Sequence, residues 1–105
     1  MRRAAKRDAN EAEIIAALKN AGCTVTQLSQ RGVLDLLVGY CGHWLLLEVK
    51  SDDGKLTDDQ RQFIEYHTDC PLAVVRTPTE ALIALQSLLP RCTTAITALT
   101  EGFTT

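Results

Sequence analysis

Arg31-Gly-Val-Leu-Asp-Leu-Leu-Val-Gly-Tyr-Cys-Gly-His-Trp-Leu-Leu-Leu-Glu-Val-Lys50 is the stretch whose reading decides the fold. Val33 to Gly39 and Trp44 to Lys50 are short β-branched and aliphatic runs bounded by glycine, the pattern of two strands each buried on at least one face. Asp35, Glu48 and Lys50 interrupt them with charge. With Cys41-Gly42 as a two-residue turn, Tyr40 faces His43, Val38 faces Leu45 and Asp35 falls directly opposite Glu48. A four-residue loop from Tyr40 to His43 gives the same pairing. Alternation places Glu48 and Lys50 on one face, and opposed side chains have Cβ atoms about 4.5–5.5 Å apart. Two carboxylates and an ammonium then share one patch of sheet. Opposed like charges are destabilising, and a hard divalent cation held by oxygen ligands would compensate them. A slip of one residue would part the two carboxylates.

The 105 residues suit one domain with a single core. A hydrophobic content of 46% with 23% charged residues is that of an ordinary globular chain. Eleven basic against thirteen acidic residues leave a net charge of −2, which excludes nucleic-acid binding by bulk charge alone. The basic residues Arg2, Arg3, Lys6 and Arg7 gather in a leader, residues 1–7, that reads equally as a solvated tail or as a phosphate-contacting arm. No apolar run approaches a membrane span, and the N-terminus lacks the apolar region of a signal peptide, so a cytoplasmic protein without membrane association is expected. Cys23, Cys41, Cys70 and Cys92 lack the close spacing of a zinc site and read as reduced, mostly buried thiols.

Working outward, Asp8 and Glu11 read as a capping box for a first helix carrying Ile14, Ile15, Leu18 and Ala21 and stopped by Gly22. At about 100° per residue, Glu11 lies about 20° from Leu18 and so borders the buried stripe, while Glu13 faces water. Cys23 to Ser29 reads as a strand. After a polar loop from Ser51 to Leu56, Thr57 and Gln60 form a second capping signature, with Asp58 and Asp59 in the first turn and Phe63, Ile64 and His67 on the inner face. Gln60 is aimed inward as well as placed to cap. Pro71 precedes an apolar run from Leu72 to Arg76 that reads as a strand buried between layers. Thr77, Pro78 and Glu80 open a third helix whose stripe of Leu82, Leu85, Leu88 and Leu89 is expected in the core, with Pro90 as its stop. The threonine-rich tail, residues 91–105, carries Ile96, Leu99 and Phe103 at helical spacing and leaves a frayed end and a docking element both open. The resulting order is α-β-β-β-α-β-α, a mixed α/β domain over residues 8–90.

Asp35 within Val33–Gly39, Glu48-Val49-Lys50, then Gly54-Lys55-Leu56-Thr57 and Gln60, behind a helix opening Asp8-Ala9-Asn10-Glu11, resemble the PD-(D/E)xK nuclease superfamily. The similarity is greatest to its small stand-alone VRR-NUC branch and runs from Asp8 to about Leu89. The resemblance implies a restriction-endonuclease-like core and a Mg²⁺-dependent DNA endonuclease, with Mn²⁺ able to substitute and no small-molecule cofactor. Asp35, Glu48 and the Val49 carbonyl would hold the metal, helped by Glu11; Lys50 would orient or activate the attacking water, steadied by Gln60. It further implies a homodimer acting on branched DNA such as four-way junctions. A flap or nonspecific nuclease, and a non-catalytic DNA-binding or adaptor protein retaining the fold, are the alternatives. Leu34 stands where that family usually has proline, a departure that concerns the local shape of the strand. Without the other residues, Glu48 and Lys50 would read as a surface ion pair contributing about 0–1 kcal/mol. His43 and His67 read as turn and helix-face residues, and Trp44, on the Glu48 face, as edge packing or a base-stacking surface.

Overall fold

The computed structural model describes residues 9–88. Three helices and a four-stranded sheet follow in the order α1 (Glu11–Asn20), β1 (Thr24–Gln27), β2 (Leu36–Tyr40), β3 (His43–Val49), α2 (Asp58–Tyr66), β4 (Leu72–Val75) and α3 (Pro78–Gln86). The fold is therefore mixed α/β in the expected element order. The strands lie side by side as β1-β2-β3-β4, with β1, β2 and β3 antiparallel and β4 parallel to β3.

The central hairpin has the expected register. Tyr40 pairs with His43, Val38 with Leu45 and Leu36 with Leu47. Cys41 and Gly42 form the turn with φ of 53° and 77°. Positive φ at both positions is the type I′ geometry whose twist matches that of the flanking strands. Alternation then sorts the sheet into two faces. Leu36, Val38, Leu45, Leu47, Val49 and Val75 join Ile14 and Leu18 of α1 and Ala81, Leu85 and Leu88 beside them in one buried core. The other face carries Leu37, Leu46, Glu48 and the exposed Trp44.

Four expectations are corrected. Glu11 opens α1, Asn10 stands at the N-cap position, and the Asn10 side chain makes no cap hydrogen bond; Asp8 and its capping box fall outside the described residues. Glu11 stands at the first helical position, two residues before the third position, from which a box partner reaches back. Second, among the described residues β4 is an edge strand paired with β3 alone, and Leu72, Ala73 and Val74 are only half-buried. Third, Leu85 of α3 and Leu88 just beyond it are buried as expected, but Leu82 lies on the outer side at 37% exposure and Ala81 takes its place in the core. Leu89 and Pro90 lie outside the described residues. Fourth, of the described cysteines only Cys23 is buried; Cys41 and Cys70 are exposed free thiols.

Both predicted cap sites downstream are present. Thr57 Oγ1 accepts from the Gln60 N–H at 3.1 Å, and Gln60 Oε1 accepts from the Thr57 N–H at 2.9 Å. Thr77 Oγ1 accepts from the Glu80 N–H at 3.0 Å, whereas the Glu80 carboxylate reaches back to the Arg76 N–H at 2.6 Å. No helix among the described residues is long and apolar enough to cross a membrane.

A side chain at Cys41 sits in a backbone region that Asn tolerates better, and Gly42 in one that suits Gly. Cys41→Asn is expected to stabilise the fold by about 0.5–1 kcal/mol and Gly42→Ala to destabilise it by about 1 kcal/mol, read from urea denaturation midpoints.

Candidate active site

The β2–β3 ladder ends at Leu36 and Leu47, and the chain leaves the sheet at Asp35, the next residue. Val49 therefore has no backbone partner in β2. Asp35 supplies one from its side chain: the Val49 N–H donates to Asp35 Oδ2 at 2.8 Å. The Asp35 carbonyl meanwhile accepts from the Leu28 N–H at 2.7 Å, which fixes its main chain beside β1. These two bonds turn the carboxylate toward β3, within hydrogen-bonding reach of the Glu48 carboxyl. The facing of Asp35 and Glu48 expected from the register is therefore realised one step beyond the regular ladder.

Glu48 is 2% exposed and carries most of the site's connections. Lys50 Nζ lies 3.2 Å from Glu48 Oε2, and Gln60 Nε2 donates to the same oxygen at 2.8 Å. Oε1 is buried with no donor directed at it. Burial foremost, and then the negative charge of Asp35, push the Glu48 carboxyl up from its ordinary value of 4.5 to about 7, against the opposing pull of the Lys50 ammonium. A carboxyl that charges near neutrality, beside a second carboxyl, is a site short of positive charge.

Gln60 does two jobs with the two ends of one amide. Its oxygen closes the cap of α2 and its nitrogen holds Glu48, so the start of the helix is anchored to the sheet through the site itself. Lys50 is 13% exposed along its side chain. A Cβ added at Gly54 would come within 3.3 Å of Lys50 Cδ, so the loop after β3 closes over the lysine stem. The Gly54 N–H donates to the Ser51 carbonyl at 3.0 Å and shapes that loop.

Asp35 and Glu48 form an oxygen donor pair with a buried acceptor that lacks a donor, and this fits a hard divalent cation. Mg²⁺ in particular binds through one or two carboxylates and completes its shell with water and phosphate oxygens. In an extended strand the N–H and C=O of one residue leave the chain on the same side. Because the Val49 N–H meets Asp35, the Val49 carbonyl faces that same edge. No group of three His, Cys, Asp or Glu side chains able to hold a metal occurs among the described residues. Glu11, 3% exposed, is bonded at 3.4 Å by Gln27 Nε2. Gln27 pairs with Leu36, which places the helix-one glutamate at the sheet end that carries Asp35. The structure thus brings Asp35, Glu48, Lys50, Gln60 and the Val49 backbone together, and seats Glu11 nearby behind its own partner.

Two residues at this end escape a sequence reading. Asn10 Nδ2 donates to the Lys50 carbonyl at 3.0 Å and to the Arg76 carbonyl at 2.6 Å. The Arg76 guanidinium donates to the Ser51 carbonyl and, at 3.5 Å, to that of Asp52. Nothing in a linear sequence connects positions 40 and 66 residues apart, and an Asn before a helix reads as a cap.

The raised Glu48 carboxyl makes stability depend on pH with a definite sign. The folded state holds that proton more tightly than the unfolded chain, so its contribution is complete below about 4.5 and is lost as pH rises through about 7. Between pH 5 and 8 the wild type is expected to lose a few kcal/mol through this group, whereas Glu48→Gln stays flat and is the more stable protein at pH 8, measured by denaturant titration at each pH. Gln60→Glu keeps an acceptor for the Thr57 N–H but removes the donor to Glu48. It is expected to preserve helix content by circular dichroism while moving the pH transition upward, whereas Gln60→Ala loses about 1 kcal/mol with the cap.

No protein-family model matches the chain, and a search of curated proteins finds no similar sequence.

Proposed function

We propose that this protein is a Mg²⁺-dependent DNA endonuclease. The observation that carries the reading is the convergence of Asp35 and Glu48 with the Lys50 ammonium 3.2 Å from Glu48, at a sheet end where one carboxylate oxygen is buried without a donor. Resemblance of the surrounding residues to the VRR-NUC pattern supports the same chemistry.

Phosphodiester hydrolysis needs an activated water and neutralisation of charge that accumulates on the phosphate. Asp35, Glu48 and the Val49 carbonyl would hold the cation, with Glu11 contributing from α1. Bound there, Mg²⁺ supplies Lewis-acid charge to the phosphate and to the attacking water. Glu48 must be ionised to hold it, and the residue's own environment opposes that until pH approaches neutrality. Gln60 keeps Glu48 Oε2 turned toward Lys50, which leaves Oε1 as the oxygen free of donors for the cation. Lys50 places a compact, hydrated positive charge beside the carboxylates, where it can orient water or meet phosphate oxygen. In this reading the substrate is branched DNA and the active form a homodimer, since a two-fold pair of sites would cut symmetrically placed strands of a four-way junction.

Incubation with four-way junction, flap and linear duplex DNA, with Mg²⁺ or with EDTA, tests the proposal. Cleavage is expected with Mg²⁺ only, and Glu48→Gln and Lys50→Ala are each expected to lower kcat by at least about a hundredfold. Metal-independent binding without cutting would instead identify a non-catalytic DNA-binding protein. Metal binding has a readout separate from turnover. At pH 8, millimolar Mg²⁺ is expected to raise the thermal midpoint of the wild type, because a ligand that binds only the folded state stabilises it, and to leave Glu48→Gln unchanged.

A further inference from the structure

We propose that Asn10 is a positioning residue for Lys50: its side-chain amide clamps the main chain at the point where β3 ends and so sets where the Lys50 ammonium stands. The inference rests on the endonuclease reading for its consequence in catalysis, but its geometry is independent of that reading.

Asn10 is not used by the helix it precedes. Its backbone is in the αR region, with φ −80° and ψ −5°, rather than the extended region of a capping residue, and its side chain makes no cap hydrogen bond. Both amide hydrogens instead cross to other elements. One goes to the carbonyl of Lys50 at 3.0 Å and the other to that of Arg76 at 2.6 Å, the residues immediately after β3 and β4. Two carbonyl partners require the nitrogen end of the amide, so the assignment of Nδ2 and Oδ1 follows from the bonds themselves.

The clamp completes the restraint of Lys50. Its N–H donates to the Val75 carbonyl at 3.0 Å, and its carbonyl accepts from Asn10, so both main-chain groups of the residue are tied down. Arg76, held by the same amide, extends its guanidinium to the carbonyls of Ser51 and Asp52 and braces the loop that follows. That loop brings Gly54 against the lysine stem. With the Cα fixed and the stem covered, the ammonium stays on Glu48 Oε2. Because Asn10 directly precedes Glu11, the same bonds also hold the start of α1 at this end of the sheet.

The test compares Asn10→Ala and Asn10→Asp with Gly42→Ala, a variant weakened at the far end of the hairpin. The first readout is the acylation rate of each lysine by an amine-reactive reagent, followed by peptide mass spectrometry. Loss of the clamp is expected to raise the rate at Lys50 roughly tenfold, with Lys19 and Lys55 unchanged, and Gly42→Ala is expected to leave Lys50 as in the wild type. The second readout is Mg²⁺-dependent DNA cleavage, in which kcat is expected to fall by roughly tenfold or more with KM unchanged. Asn10→Asp, which sets a carboxylate against two carbonyls, is expected to be the worse of the two. An unchanged Lys50 rate, or an equal rise in Gly42→Ala, would overturn the proposal. If the wild type cleaves no DNA, the endonuclease reading fails, while the labelling result still decides whether Asn10 positions Lys50.

Discussion

The hydrogen bond from the Val49 N–H to Asp35 Oδ2 is the interaction on which this site depends. A strand that outlasts its neighbour leaves a backbone donor without a ladder partner, and a buried unpaired donor costs about 1–3 kcal/mol. Here β3 outlasts β2, and a carboxylate takes the vacant ladder position. The chain thereby satisfies its backbone and at the same moment presents an acid to Glu48. Without that bond Asp35 would lie at the start of a strand with no reason to face β3.

Once the two carboxyls are side by side, the remaining features follow from electrostatics. Glu48 is buried, so the second negative charge cannot be screened by water and its proton is held to about pH 7. Lys50 and Gln60 both address the same oxygen, Oε2, and neither reaches Oε1. Two carboxyls this close, one of them buried, destabilise the fold while both are ionised, and a proton on Glu48 relieves that cost. Strain of this kind at a site is tolerated because the opposite face of the sheet, with Leu36, Val38, Leu45, Leu47 and Val49 against α1 and α3, supplies the burial that holds the domain together.

The helices divide the work in the same way. α1 and α3 contribute buried aliphatic residues, whereas α2 has no fully buried residue and is tied to the sheet through Gln60. Its amide gives the cap its oxygen and Glu48 its nitrogen, so helix placement and carboxylate orientation are one event. Asn10 plays the corresponding part for α1, joining the helix start to the ends of β3 and β4 rather than capping.

Much of this was legible in the sequence, because alternation and turn chemistry are local. Cys41-Gly42 between two aliphatic runs determined the hairpin register, and the register determined that Asp35 and Glu48 would approach. Thr57 with Gln60, and Thr77 with Pro78, marked helix starts through bonds that span three residues. What only the tertiary structure decided is long-range. That β4 is an edge, that Leu82 turns outward, that Asn10 spans 40 and 66 residues to two carbonyls, and that the Asp35 carboxylate replaces a ladder bond all depend on which elements become neighbours. Side-chain periodicity specifies a face, but only packing specifies what lies across from it.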